Sequence, residues 1–295
     1  MLTDAAPRPL PGAPRVAPPP GATDSHAHAF GPFATYPPGP SSYPVPETPA
    51  DRYLAMLDAV GLSRGVLVQP GPYAQDHTVL VEGLRAAGGR LAGIGVARPD
   101  VSDGTLYRLA EAGVRGLRFI EPRSPSASAP PGSVGAAALE AFAPRLADLG
   151  WHAQLWAGAA DCARWGTMLA ERGVPVVFDH LAQPDVGAGV DAPAFREVRA
   201  LVEAGVAWVK IPVCRVGTAA NGFAEARPFH DALLEANPDR LLWASDWPFV
   251  RLDDRVPDVG ELLDLFRSWT PGPEWERILV RNPARLYGFP ELGAA

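Results

Sequence analysis

Eight short apolar runs alternate with amphipathic stretches along this chain at intervals of about 30 residues, and no other feature of the sequence restricts the fold as much. The runs, rich in Val, Ile and Leu, occupy residues 22–30, 64–69, 91–97, 114–119, 152–157, 174–181, 206–211 and 241–247. Helical patterns fill 49–60, 76–87, 103–112, 136–149, 160–172, 194–204 and 224–236, then 258–269, with a short one near 273–280. Strands apolar along their whole length need cover on both faces, which a parallel sheet with helices provides. Eight such repeats predict an α/β fold, a single (β/α)8 TIM barrel over residues 21–295, rather than an open sheet. Gly61, Gly113, Gly150, Gly173 and Gly205 each follow a helical stretch, where a left-handed residue ends a helix.

Composition agrees with a filled barrel. Of 295 residues, 47% are hydrophobic and 20% charged. The net charge of −7 argues against a nucleic acid or an anionic membrane as partner. No apolar run approaches the roughly 18 residues of a spanning helix. Cys162 and Cys214 are too few for a disulfide framework or a cysteine zinc cluster. Residues 1–20 hold seven prolines and no apolar core, so they read as an extended arm rather than a signal peptide. A cytoplasmic protein is expected. Loop 31–48, with six prolines and three aromatics, is long enough to be a lid.

In a barrel of this kind chemistry sits at the C-terminal ends of strands. The first run ends Asp24-Ser25-His26-Ala27-His28, and alternation sets Asp24, His26 and His28 on one face. The sixth ends Phe178-Asp179-His180; alternation groups His180 with Val176 and Phe178 and turns Asp179 toward the helices, into a structural salt bridge. The eighth ends in Ser245-Asp246-Trp247-Pro248. His26, His28, His180 and Asp246 thus fall where neighbouring strand ends can converge. Arg118 interrupts the fourth run, Arg123 follows it and Arg215 follows the seventh, a cationic set suited to an anionic substrate. Tyr43, Tyr73, Gln154, Trp156 and Gln183 could complete the pocket. The single lysine, Lys210, ends the seventh run.

The frame T-D-S-H-A-H-A-F-G-P, V-V-F-D-H-L-A-Q-P-D, A-S-D-W-P-F and R-N-P-A-R-L-Y-G-F resembles the amidohydrolase superfamily, and within it the 2-pyrone-4,6-dicarboxylate lactonase-like branch. The resemblance spans about Pro20 to Phe289 and implies a distorted barrel that hydrolyses a lactone. It matches His26, His28, His180 and Asp246 to the branch's active-site set, and sets Tyr43, Arg118, Arg123 and Arg215 near its carboxylate-recognition positions. Gln183 stands where the dicarboxylate lactonase has an arginine, which leaves the lactone itself open. The usual binuclear ligands on strands four and five are missing. One zinc or other divalent ion on His26, His28, His180 and Asp246, or no metal at all, are both consistent with the branch. Expected chemistry is attack by a water activated by Asp246. The alternatives are a sugar-acid lactonase or decarboxylase of the same superfamily, a Schiff-base aldolase using Lys210, and a non-catalytic binding barrel. Oligomeric state is left open.

Overall fold

The computed structural model describes residues 9–39, 44–121, 129–252 and 256–290. Eight parallel strands follow one another around a single sheet in sequence order. They are β1 (Thr23–Ala27), β2 (Arg64–Val68), β3 (Leu91–Gly95), β4 (Val114–Ile120), β5 (His152–Trp156), β6 (Val176–Phe178), β7 (Ala207–Lys210) and β8 (Leu241–Leu242). The helices between them are α1 (Ala50–Val60), α2 (Thr78–Ala86), α3 (Asp103–Glu111), α4 (Leu139–Leu149), α5 (Ala159–Glu171), α6 (Pro193–Glu203) and α7 (Arg227–Ala236), and α8 (Val259–Trp269) follows β8. The barrel the alternation predicts is the barrel observed.

Two apolar layers hold it. The larger lies between strands and helices, where the outward side chains of each strand meet the buried face of the following helix. The smaller fills the barrel floor: Val66, Val68, Ile94, Val177, Trp208 and Leu242 pack with Tyr287 and Phe289, which the C-terminal segment brings underneath. Helix ends behave as the glycines suggest. Gly61 and Gly150 cap α1 and α4 in the left-handed region, at φ 76° and 63°. The N-terminal arm is clipped to α8: Gly12 N donates to Asp258 Oδ2 at 2.9 Å and Arg15 N to Asp264 Oδ1 at 2.8 Å.

Closure of the barrel depends on very little regular pairing, because β8 is only two residues long. Past it the chain stays alongside β1 through three backbone bonds: Ser25 N to Trp243 O at 3.0 Å, Asp246 N to His26 O at 2.9 Å, and His28 N to Trp247 O at 2.9 Å.

Two strand ends depart from simple alternation. The pairing of β1 with β2 shifts register between Asp24 and Ala27, and such a bulge re-aims side chains. Asp24 therefore parts from His26 and His28. Its carboxylate accepts from Ser245 Oγ at 2.6 Å and from Tyr53 Oη at 3.1 Å, the Tyr53 ring being stacked on Trp247. On β6 the phase is opposite to the expected one. Phe178 faces the helices, so close that a Cβ on Gly166 of α5 would lie 2.7 Å from its ring. Truncating such a buried phenylalanine costs about 3–5 kcal/mol. Val177 and Asp179 face inward instead. The strand stops at Phe178, and His180 reaches the site only because its backbone turns into the left-handed region at φ 53°.

Candidate active site

A cavity of about 260 Å3 opens at the C-terminal end of the strands. His28, His180, Asp246, Arg118, Trp156 and Arg215 line it, as do Phe30, Val250 and Arg251. His26 and Gln154 lie just beneath, fully buried, so Gln154 is not part of the cavity wall where it was expected. Tyr43 and Arg123 fall outside the described residues. Tyr73 braces the start of the loop after β1, at residues 31–36, rather than the cavity: its Oη accepts from Gly31 N at 2.8 Å and donates to Tyr36 O at 2.9 Å. Gln183 is half-buried and does not line the cavity. Arg251, in the turn after β8, does line it and has no warning in the sequence beyond its charge.

The imidazoles form a cluster, with ring centroids 5.0 Å apart for His26 and His28 and 5.2 Å for His26 and His180. His28 Nδ1 donates to Val68 O at 2.8 Å, which leaves its Nε2 lone pair for the cavity. Burial pushes all three imidazoles down, His26 and His180 to about 3 and His28 to about 4, so they are neutral at pH 7.

Asp246 is 1% exposed, and its backbone is also left-handed, at φ 65°. A non-glycine residue held there costs on the order of 1 kcal/mol or more, which the surrounding structure must offset. Burial alone would raise its pKa, but the Arg215 guanidinium against Oδ2 holds it well below the usual carboxylate range. The other oxygen, Oδ1, lies 3.7 Å from His26 Nε2. Arg215 is itself tied to Val250 O at 2.8 Å.

Beneath the cavity sits a charged layer that alternation on strand six had turned outward. Asp179 is fully buried and faces inward, and four groups meet it. Arg118 Nε donates to Oδ2 at 3.0 Å and Gln154 Nε2 to the same oxygen at 3.1 Å. His26 Nδ1 lies 3.2 Å from Oδ1, and Lys210 Nζ lies 3.7 Å from it. Burial would keep this carboxyl protonated; the charges of Arg118 and Lys210 hold it ionised. Arg118 also stacks over Trp156, with its guanidinium carbon 5.1 Å from the ring centroid. Inward positions on β4, β5 and β7 supply Arg118, Gln154 and Lys210, and the residue after β6 supplies Asp179. A correct phase for β6, read from Val177, would have found this layer.

Donor atoms of His26, His28 and Asp246 all lie within 4.8 Å of one another, and so do those of His26, Asp179 and His180. Only the first group suits a cation. Asp179 is already compensated by Arg118 and Lys210, whereas His26 Nε2 is buried with no hydrogen-bond partner among the described residues and Asp246 keeps Oδ1 uncommitted to Arg215.

This fold and this strand-end set define an amidohydrolase, and the chain belongs to that family: the amidohydrolase family pattern matches residues 23–289. Among its relatives, a 2-pyrone-4,6-dicarboxylate hydrolase of Comamonas testosteroni is 32% identical over 293 residues, covering 95% of this chain and 94% of that one. A 4-sulfomuconolactone hydrolase of Rhizobium radiobacter is 32% identical over 276 residues, with 92% and 91% covered. Among solved structures, a Pseudomonas putida protein assigned as a 2-pyrone-4,6-dicarboxylic acid hydrolase superposes with a TM-score of 0.78 at 29% identity, covering 92% of this chain and 98% of that one. Among the described residues, no helix is long and apolar enough to cross a membrane.

Proposed function

We propose that this protein hydrolyses the ester bond of a small lactone bearing a carboxylate or sulfonate. The observation that carries the reading is the pairing of Asp246 Oδ1 with His26 Nε2, 3.7 Å apart, at a cavity that Arg118, Arg215 and Arg251 also line. The relatives named above act on anionic lactones of this kind.

Water attacks the lactone carbonyl carbon. Asp246 Oδ1 accepts a proton from that water as the C–O bond forms. His180 lines the cavity above His26 and would turn a ring N–H to the carbonyl oxygen as it gains charge, whereas the Nε2 lone pair of His28 is suited to a water proton or a cation. When the ring C–O bond breaks, the proton held by Asp246 passes to the departing oxygen. The product carries one carboxylate more than the substrate. Arg118, Arg215 and Arg251 orient the anion, and such positioning removes several kcal/mol of barrier. A divalent metal fits the donor set of His26, His28 and Asp246, with His180 nearby. When bound it would polarise the carbonyl and acidify the water. Lys210 is fully buried under His26 and does not line the cavity, which leaves a Schiff-base mechanism without access to its nitrogen.

A panel of lactones tests the reading: 2-pyrone-4,6-dicarboxylate, a sulfonated muconolactone, a sugar-acid lactone and a neutral lactone, each with and without chelator. Ring opening confined to the anionic members supports it. Turnover of the neutral or sugar-acid members alone would overturn it.

A further inference from the structure

Lys210 is the chain's single lysine, and its Nζ has no solvent exposure. It lies 2.6 Å from Gln154 Oε1, 3.4 Å from His26 Nδ1 and 3.7 Å from Asp179 Oδ1. An ammonium can only donate. The oxygen of the Gln154 amide must therefore face Lys210, because the opposite orientation would set donor against donor in a buried site. That orientation sends Gln154 Nε2 to Asp179 Oδ2, at 3.1 Å, where Arg118 Nε also donates, at 3.0 Å. With Oδ2 occupied by two donors, Asp179 offers Oδ1 to His26 Nδ1, 3.2 Å away. An unprotonated Nδ1 there would leave two acceptors in contact.

We propose that Lys210 is a positioning residue: through Gln154 and Asp179 it holds His26 in the tautomer protonated at Nδ1, so that Nε2 turns a lone pair toward Asp246. The ammonium donates to the amide oxygen, the amide nitrogen donates to the carboxylate, and the carboxylate, which can only accept, takes its remaining bond from the imidazole Nδ1–H. The result is two acceptors facing each other 3.7 Å apart, His26 Nε2 and Asp246 Oδ1, with no hydrogen-bond partner for Nε2 among the described residues. Such a pair receives both protons of one water, or a cation. The competing arrangement, in which Lys210 donates directly to Nδ1, would put the His26 proton on Nε2 and erase that feature. It would also set the bare Nδ1 lone pair against Asp179 Oδ1, two acceptors 3.2 Å apart, and leave that oxygen without the imidazole donor.

The inference rests on the same site as the hydrolase reading, but the tautomer exists without substrate, so the two can fail separately. Long-range nitrogen–proton correlation spectra of the chelated protein distinguish a protonated from an unprotonated ring nitrogen, and His26→Asn identifies the His26 signals. The wild type is expected to show Nδ1 protonated and Nε2 bare. Lys210→Met removes the donor. Gln154→Glu keeps the acceptor for Lys210 but sets a carboxylate oxygen against Asp179. In either folded variant the His26 proton is expected to move wholly or partly to Nε2. kcat is expected to fall about 10- to 100-fold, with KM changed less than about twofold. An Nε2-protonated His26 in the wild type overturns the proposal, and that spectrum decides alone if a variant does not fold. A tautomer unchanged in folded Lys210→Met also overturns it, whatever happens to activity.

Discussion

Arg215 donates Nε to Oδ2 of Asp246 and leaves Oδ1 turned toward His26 Nε2 at 3.7 Å. One oxygen of the carboxylate is thereby committed to charge compensation, and the other stays available to a proton. A carboxylate held this far below its ordinary pKa is a weak base in isolation. It becomes effective only where the water it faces is acidified or tightly oriented.

Asp246→Asn preserves the outline of that side chain and removes the proton acceptor. kcat is expected to fall by about 10² or more, with the far-ultraviolet spectrum and melting temperature nearly unchanged. Turnover close to wild type in the Asn variant would take Asp246 out of the mechanism.

The cations at the mouth divide into two kinds. Arg251 is exposed at the cavity edge, whereas Arg118 is 5% exposed and bonded to Asp179. Arg251→Ala is expected to raise KM for an anionic lactone about tenfold or less, the scale of an exposed charge contact, and to leave its neutral ester unaffected. Arg118→Met should lower kcat for both, because Asp179 loses a partner as the substrate loses a clamp. Steady-state kinetics on the acid and ester pair separate the two roles, and identical profiles for the two variants would refute the division.

Metal content follows from the donor set. Elemental analysis of the purified protein is expected to give at most about one equivalent of a divalent ion, since zinc takes about four N or O donors and Asp179 is spent on Arg118 and Lys210. His28→Gln should lower that content. Two tightly held equivalents would contradict this description of the site.

His152 gives a pH dependence at the opposite end of the barrel. Its ring is buried against Tyr287, and burial together with the Lys210 charge pushes its pKa from 6.5 down to about 3. Above pH 6.5 the ring is neutral in folded and unfolded chains alike. Below it, the unfolded chain takes a proton that the folded chain refuses, so stability falls as pH drops from 6.5 toward 3. Each unit is worth about 1.4 kcal/mol, or roughly 2 kcal/mol by pH 5. Urea midpoints measured between pH 7 and 5 should decline less steeply in His152→Gln than in wild type; parallel slopes would exclude His152 as a source.

The barrel was legible because its strands are apolar on both faces and its helices end in glycine, both local signals. Strand-end geometry was not, because it depends on events that leave no periodic trace. The register shift after Asp24 and the left-handed turn at His180 each reverse a phase that alternation carries forward. His180 still arrives where its chemistry suggests, but by a bend rather than by facing with Phe178. Asp179 was turned outward by the same misphasing, and with it the layer of Gln154 and Lys210 passed unseen. Arg118 needed no phase: a charge inside an apolar run announces a partner. Arg251 had no such context.

The bonds that close the cylinder are the ones that hold the reacting groups at their working separation. His26 O, His28 N and Asp246 N are all backbone partners across the join between first and last strands. Prying that join apart therefore separates Asp246 from the imidazoles before any helix need melt. The protein should lose turnover at lower urea than it loses helicity. Slow hydrogen exchange at the amides of His28 and Asp246 would then gauge catalytic competence as directly as an assay does.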